Sequence, residues 1–172
     1  MFKFKQLFEF KILLSMPKPK FIFMLFIGLF TFCQASAQKI NPAEARQAQQ
    51  LIQDCFDNIW SACDTSAIST FHTKNYLLLE NGIVWTNDSV RQFQIKEKKE
   101  TLKGKYVRKN KLEFIKSEKR GKSIWLAYHN YATWIKGEEV VGKAHWLESA
   151  IVIRSGKAWK IELLHSTPVR DH

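Results

Sequence analysis

The side chains best suited to chemistry lie in one stretch near the carboxyl end of the chain, Lys143 to Thr167. Two apolar runs, Trp146–Ile153 and Trp159–Leu164, flank a polar segment that contains Gly156, a residue type that tolerates the positive φ of tight turns. This pattern predicts a long β-hairpin. Four of its residues are the strongest candidates for a site: Trp146, Glu148, Trp159 and His165.

Glu148 and His165 are the candidate acid–base groups. An unpaired Glu148 carboxylate would be costly to bury in its apolar strand. In a hydrophobic pocket its pKa would rise, and it could remove a proton beside a carbonyl group; alternatively it pairs with a Lys or Arg, or faces solvent. A histidine such as His165 has an ordinary pKa of about 6.5, which suits a general base; alternatively it lines a pocket, or is half-buried and bonded to a carboxylate or to backbone.

The register of the hairpin decides which of these residues share a face. A two-residue turn, Ser155-Gly156, sets Glu148 opposite Leu163 and Trp146 opposite His165. A three-residue turn sets Glu148 opposite Leu164 and Trp146 opposite Ser166. Because a slip of one residue exchanges the two faces of a strand, both registers stay open.

The strand before the hairpin offers further ligand contacts. Tyr128 and Asn130 share one of its faces, and His129 and Tyr131 share the other, so either pair can offer hydrogen-bond donors. Aromatic residues at this spacing serve either a core or a ligand platform. The tryptophans that we expect to contact a pocket are Trp85, Trp134 and Trp146.

The cysteines and the sequence motifs limit which disulfides, metal sites and cofactor sites the chain can form. If Cys55 and Cys63 lay on one helix, about 12 Å would separate them at 1.5 Å per residue, too far for a disulfide. A bridge requires the helix to end near Trp60 and the chain to turn back. No cysteine or histidine spacing indicates a metal, and the sequence holds no phosphate loop or HExxH motif, so no metal and no cofactor are expected.

Helices are predicted in the first part of the domain. The run Asn41-Pro42-Ala43-Glu44 has an N-cap Asn, a Pro at N1 and a Glu placed for a capping box. Apolar residues then recur every three or four positions as far as Trp60, which predicts one amphipathic helix of about five turns. Asp64 can cap a short second helix, Thr65–His72, and a third is predicted over about Ser89–Leu102.

Strands make up the rest of the chain. A strand over Asn75–Glu80 ends at the tight turn Asn81-Gly82. Four long strands follow, joined by glycine-containing turns: Tyr106–Lys116, Ser123–Ile135, Val140–Ile153 and Lys157–Thr167. Helices followed by an antiparallel meander predict the α+β class, with helices packed on one face of a strongly twisted sheet.

Residues 1–37 have the features of a signal peptide. Lys18-Pro-Lys20 precedes an apolar run, Phe21–Phe32, which is shorter than the roughly 20 residues that a membrane span needs, and Ala35-Ser36-Ala37 supplies a cleavage pattern. Met16 is an alternative start, and Cys33 follows bulky residues rather than the small ones of a lipobox. We therefore expect a single domain over residues 38–172, exported to the periplasm or secreted, without membrane attachment after cleavage.

The charge of the mature chain is moderately positive. Removing residues 1–37 takes away five Lys and one Glu and leaves 22 basic and 15 acidic residues, a net charge of +7. The segment Lys96–Lys111 holds eight Lys/Arg against two Glu. It can bind an anionic partner, or it can be a solvated helix end followed by an edge strand protected by lysines. The sequence has no nucleic-acid-binding motif, so the second interpretation is favoured and no nucleic-acid partner is expected.

Three stretches resemble the nuclear transport factor 2-like superfamily, and within it the SnoaL-like branch with domain of unknown function 4440: Cys63–Phe71, Asn75–Gly82 with Trp85, and Glu148–Thr167, which ends in WKIELLHST. The resemblance implies a cone-shaped, strongly curved antiparallel sheet wrapped around three helices, with a pocket at its open end. Members include ketosteroid isomerases, dehydratases, polyketide cyclases and the association domain of the calcium/calmodulin-dependent kinase. This chain has Asn75 where many relatives have Asp, and Asn130 where the kinase domain has a pocket arginine, so no relative's chemistry carries over.

The sequence thus predicts an exported domain that binds a small apolar or amphipathic molecule in the cone, without an assigned activity. One alternative is an isomerase- or dehydratase-type enzyme that uses Glu148 or His165 as general base; another is a protein-assembly module. Apolar residues on both faces of the last two strands predict a homodimer through the outer face of the sheet. The expected ligand contacts are Trp85, Tyr128, Asn130, Trp146, Glu148 and His165.

Overall fold

The computed structural model describes residues 40–104 and 106–170. Helix α1 is Pro42–Cys55 and is continued by a π-helical turn, Phe56–Ser61. The short helix α2 consists of a 3₁₀ turn, Thr65–Ala67, followed by an α turn, Ile68–Phe71. Helix α3 is Asn87–Gly104. The strands are β1 (His72–Glu80), β2 (Ile83–Trp85), β3 (Val107–Arg120), β4 (Ser123–Lys136), β5 (Glu139–Ser155) and β6 (Ala158–Pro168). The expected signal peptide lies outside the described residues, within which no helix is long and apolar enough to cross a membrane.

Helix α1 begins where its residues predict. Oδ1 of Asn41 accepts a hydrogen bond from the Ala43 backbone N–H at 2.9 Å, and Pro42 occupies the first turn, where it costs no backbone bond. The expected capping box is wrong, because Glu44 pairs instead with Nζ of Lys119, which lies 2.8 Å from both carboxylate oxygens. This half-buried ion pair ties the start of α1 to strand β3.

The helix extends as far as predicted but changes type at Phe56. In the π-helical turn the backbone bonds reach five residues back, as in the bond from the Ala62 N–H to the Asp57 carbonyl at 3.0 Å. Phe56, Ile59 and Trp60 of this turn are all buried. The wider turn therefore sets two aromatic rings against the sheet.

The six strands form one curved sheet in the order β2-β1-β6-β5-β4-β3. The α+β class is confirmed, with one refinement: β6 inserts between β1 and β5 and runs parallel to β1, so the sheet is mixed. The other pairings are antiparallel. Register shifts interrupt the β3–β4, β4–β5 and β5–β6 ladders, and such bulges bend the strands and increase their twist.

The β5–β6 turn consists of Gly156 and Lys157, and Ser155 faces Ala158 across it. Gly156 has φ +63°, a left-handed conformation that glycine adopts without steric cost. The turn thus lies one residue further along the chain than the two-residue turn predicted from the sequence.

A bulge then shifts the register once more between Ile151 and Val152. Beyond it Glu148 faces Ser166, and Ser149 faces His165. Both registers predicted from the sequence are therefore wrong, since each misplaced the turn and neither included the bulge.

Both described cysteines are free thiols, so the disulfide left open by the sequence is not formed. Cys55 is fully buried, with Sγ 3.4 Å from Nε2 of His72, while Nδ1 of His72 lies 3.0 Å from Oδ1 of Asn87. Because Nδ2 of Asn87 donates to the Thr73 carbonyl, Oδ1 is the acceptor, His72 is protonated at Nδ1, and the thiol donates to Nε2. Burial lowers the pKa of His72 to about 4 and raises the pKa of Cys55, so both groups are neutral at pH 7.

Candidate ligand cavity and its buried carboxyl

A cavity of about 240 Å³ lies between the helices and the inner face of the sheet. Leu78 and Leu164 form part of its apolar wall. Its remaining apolar lining is aromatic and comes from the π-helical turn, α3 and the three strands β2, β4 and β5: Phe56, Trp60, Trp85, Phe93, Trp134 and Trp146. A hollow with such walls suits an apolar or aromatic molecule.

Strand alternation explains which side chains reach the cavity. In β1 the inward positions are every second residue, and the last three are Tyr76, Leu78 and Glu80. The same period in β4 carries the inward face from the buried Asn130 to Trp134 at the cavity. Glu80, Arg108 and Ser166 thus enter the hollow near the ends of their strands, whereas Glu148 enters it from the middle of β5.

Glu148 is the most buried ionisable group that lines the cavity, with 5% of its surface exposed. Its Oε1 accepts hydrogen bonds from Oγ of Ser166 at 3.0 Å and from Nδ2 of Asn130 at 3.3 Å. Its Oε2 is buried without a hydrogen-bond partner. Because both donors address Oε1, a proton on the neutral carboxyl resides on Oε2.

Burial raises the pKa of Glu148 to about 7, outweighing the neighbouring polar side chains of Ser166, Asn130 and Tyr128, which lower it. The neighbouring Glu80 adds a smaller effect in the raising direction. The carboxyl therefore exists in both protonation states near neutral pH. It can accept a proton from a bound molecule or donate one to it.

A chain of polar side chains leads from Glu148 to the edge of the sheet. Nε of Arg108 donates to Oδ1 of Asn110 at 3.0 Å, and Nδ2 of Asn110 donates to Oδ1 of Asn130 at 2.6 Å. Asn130 then donates to Glu148. Every donor in the chain points toward the carboxyl, which fixes the orientation of both amides.

Ser166 connects Glu148 to a second acid. Its Oγ lies 3.5 Å from Oε1 of Glu80, a longer contact than the one to Glu148. A hydroxyl has one proton to donate, so it bonds one carboxylate at a time. Burial raises the pKa of Glu80.

The residues predicted from the sequence divide into two groups. Trp85, Trp146 and Glu148 line the cavity, as does Trp134. Tyr128 and Asn130 are fully buried on the inward face of β4; Asn130 reaches the cavity through its bond to Glu148, and Tyr128 packs edge-to-face on Phe56 at 6.5 Å. Trp159 is buried in the core and lines a shallow surface hollow elsewhere.

His165 does not lie with them. The observed register places it beside Ser149 on the outer face, where it is exposed, while its neighbours Leu164 and Ser166 line the cavity. A shared site of Glu148 and His165, which the shorter sequence register allowed, is therefore wrong. The alternation of β4 likewise puts His129 and Tyr131 outside, where Nδ1 of His129 lies 2.9 Å from Nε2 of His145.

Sequence reasoning missed three polar residues of the cavity: Glu80, Arg108 and Ser166. Arg108 was counted with a solvated basic segment. The inward alternation of Leu112 and Phe114, extended backward by four residues, would have placed it in the cone. Ser166 was not singled out, although the three-residue register already placed it on the same face as Glu148 and Leu164.

No group of three or more His, Cys, Asp or Glu side chains within residues 40–104 and 106–170 is arranged to hold a metal ion.

Comparison with known proteins finds likeness in structure alone. No family model matches the sequence, and no curated protein matches it. A ketosteroid isomerase-like protein from Erwinia carotovora atroseptica superposes with a TM-score of 0.56 at 11% identity, over 76% of this chain and 100% of that one. The S. rosetta CaMKII hub superposes with a TM-score of 0.57 at 12% identity, over 76% of this chain and 98% of that one.

A third solved structure names the fold. An uncharacterised protein with a cystatin-like fold from Caulobacter vibrioides superposes with a TM-score of 0.54 at 16% identity, over 74% of this chain and 91% of that one. The chain therefore has the cystatin-like fold, to which the nuclear transport factor 2-like proteins belong. At these identities the likeness concerns the fold and carries no activity.

Proposed function

We propose that this cystatin-like domain binds a small apolar or amphipathic molecule in its aromatic cavity. The observation that carries the proposal is the cavity itself, about 240 Å³ of space lined mostly by aromatic side chains. Since one liquid water occupies about 30 Å³, the space corresponds to roughly eight waters, or a small organic molecule. Trp60 and Trp85, which line it, also carry indole N–H groups that have no partner.

The test uses two neighbouring leucines of β1. Leu78 lines the cavity, and Leu77 points to the outer face with 37% exposure. Leu78→Phe should fill part of the space and abolish binding, whereas Leu77→Phe should leave binding unchanged. Native mass spectrometry of both variants and the wild type, purified from the source cells, measures the retained ligand. Equal retention by all three proteins would contradict the proposal.

A second candidate function is proton transfer beside a carbonyl group, with Glu148 as general base. It is favoured by the pKa of about 7 and by the unpartnered Oε2. The assay follows hydrogen–deuterium exchange at the α-carbon of a cyclic ketone by NMR. Glu148→Gln should abolish protein-catalysed exchange, and His165→Ala should not affect it. Exchange that survives Glu148→Gln excludes this function.

We further propose that the mature protein is exported and begins at Gln38, and that it belongs to the SnoaL-like branch of its superfamily. The export proposal depends on the signal-peptide pattern of residues 1–37. Amino-terminal sequencing of the protein from the periplasm and medium tests it. A full-length chain confined to the cell interior would contradict it.

The outer face of the sheet supports the proposal of a homodimer. Leu77, Trp125 and Leu147 are large apolar residues with 36–45% exposure on this face. Sedimentation of the mature protein should show a dimer that Leu147→Lys dissociates. The unfilled cavity favours ligand binding over a purely structural assembly role.

A further inference from the structure

Arg108 is the one basic residue that lines the aromatic cavity in the part of the chain that the structure describes. It stands near the start of β3, on the inward face. Its guanidinium carbon lies 5.8 Å from the ring centre of Trp60, 5.2 Å from that of Trp134 and 5.6 Å from that of Trp146. Three indole rings thus surround one cation.

The guanidinium has no ion-pair partner. No carboxylate within residues 40–104 and 106–170 lies within 4.0 Å of its nitrogens, and its sole hydrogen bond there is from Nε to Asn110. Glu148 of β5, Glu97 of α3 and Glu80 of β1 act on it only from longer range. Its two Nη groups are left to bond something outside the protein.

The carboxyl groups that line the cavity do not neutralise Arg108 by direct pairing. Burial raises the pKa of Glu148 to about 7, so this carboxyl carries only part of its negative charge at neutral pH. Burial raises the pKa of Glu80 as well. An arginine keeps its charge under all ordinary conditions. A cavity with one cation that lacks an ion-pair partner and with apolar walls therefore suits a ligand that has one anionic end and one apolar body.

We infer that the cavity binds a small amphipathic organic acid, whose carboxylate pairs with Arg108 and whose apolar body lies against Phe56, Trp85 and Phe93. The fork of the guanidinium matches a carboxylate with two parallel hydrogen bonds. The partnerless indole N–H groups of Trp60 and Trp85 supply further donors to an acid. This inference rests on the proposed ligand-binding function and specifies its ligand class.

The experiment compares a probe acid with its neutral isostere. 3-Phenylpropionate and 3-phenylpropionamide have the same shape, and their dissociation constants can be measured by quenching of tryptophan fluorescence and by calorimetry. Wild-type protein should bind the acid at least about tenfold more tightly than the amide, as a hydrogen bond to a charged group is expected to give. Arg108→Met should remove that preference and leave amide binding within about threefold of wild type.

Arg154 provides the matched control. Its guanidinium carbon lies 4.3 Å from the ring centre of Trp159, outside the cavity, so Arg154→Met also removes a cation from an indole face. It should leave the acid preference intact. Should Arg108→Met fail to fold, Arg108→Lys, which keeps the charge and loses the fork, should lower the preference without abolishing it.

The possible outcomes separate the two proposals. Equal binding of acid and amide by the wild type overturns the role of Arg108 and leaves the ligand-binding function standing. A parallel loss of both probes in Arg108→Met shows that Arg108 only maintains the cavity, and overturns the inference. If the wild type binds neither probe, both this inference and the proposed binding of small aromatic amphiphiles are overturned.

Discussion

Replacing Glu148 by Gln should make the protein more stable at pH 8 and change its stability little at pH 5. Glutamine keeps the shape of the side chain, and its oxygen can still accept from Ser166 and Asn130. What it removes is the cost of a buried negative charge. The test therefore measures the electrostatics of the carboxyl and not its packing.

The magnitude follows from the pKa of Glu148, about 7 in the folded protein against an ordinary value of 4.5. A carboxyl with a raised pKa contributes stability that is fully present below pH 4.5 and is lost as the pH rises through 7. At 1.36 kcal/mol per pH unit, the full loss at pH 8 is about 3 kcal/mol, and between pH 5 and pH 8 it is about 2.5 kcal/mol. The buried charge destabilises only the wild type, so the stability of the variant relative to the wild type should rise by about 2.5 kcal/mol from pH 5 to pH 8.

His72 opposes this trend in both proteins. Its pKa is lowered to about 4 from 6.5, so the stability that it contributes is present above pH 6.5 and is lost as the pH falls through 4. The wild type alone should thus show a flat profile between pH 4.5 and 6.5, where the two effects cancel. The His72 contribution is the same in both proteins, so it cancels when the stability of the wild type is subtracted from that of Glu148→Gln.

Urea unfolding at pH 5, 6, 7 and 8 measures the difference directly. Glu113→Gln is the control, because the hydrogen bond from Lys111 lowers the pKa of this exposed carboxyl; its effect should be small and of opposite sign. A stability difference between Glu148→Gln and wild type that is the same at all four pH values would refute the assigned pKa and, with it, the case for Glu148 as a general base.

Three further outcomes are expected. Asn130→Leu should lower the free energy of unfolding by about 2–3 kcal/mol and raise the pKa of Glu148 above about 7, because it removes a bond to the carboxylate; urea unfolding and NMR titration check this. Gly156→Ala should cost about 1 kcal/mol, because φ is +63° there, whereas Gly142→Ala, whose φ is not positive, should cost less in the same assay. Iodoacetamide at pH 8 should leave Cys55 unmodified in native protein and label it in urea, as peptide mapping will show, since the thiol is buried and its pKa is raised.

Most of the fold could be predicted from local sequence signals. Asn41, Asp64 and the Asn81-Gly82 turn each carry a side chain or a φ angle that defines the end of an element, and the structure uses all three. The long strands follow from alternation interrupted by glycine. The parallel β1–β6 pairing could not be predicted, because it joins segments far apart in the chain and no local pattern marks it.

The candidate site was harder to predict than the fold. Glu148 and Trp146 were recognised because each is unusual in its strand. His165 was misplaced because the faces of a strand exchange with every single-residue shift, and the bulge at Ile151 supplies one such shift. Arg108 was missed because it was grouped with the basic segment Lys96–Lys111, although the alternation of Leu112 and Phe114 extends to it.

Because β6 lies in the middle of the sheet, the sheet cannot form completely during synthesis until β6 has been made. Residues 158–168 are synthesised after β1 and β3–β5, and before they leave the ribosome, β1 has an open side and the β3–β5 ribbon ends in a bare edge. The two parts of the sheet are therefore joined only after β6 has been synthesised. A chain shortened before Ala158 would lose the seam between these parts, and with it the wall of the cavity that Leu164 and Ser166 form.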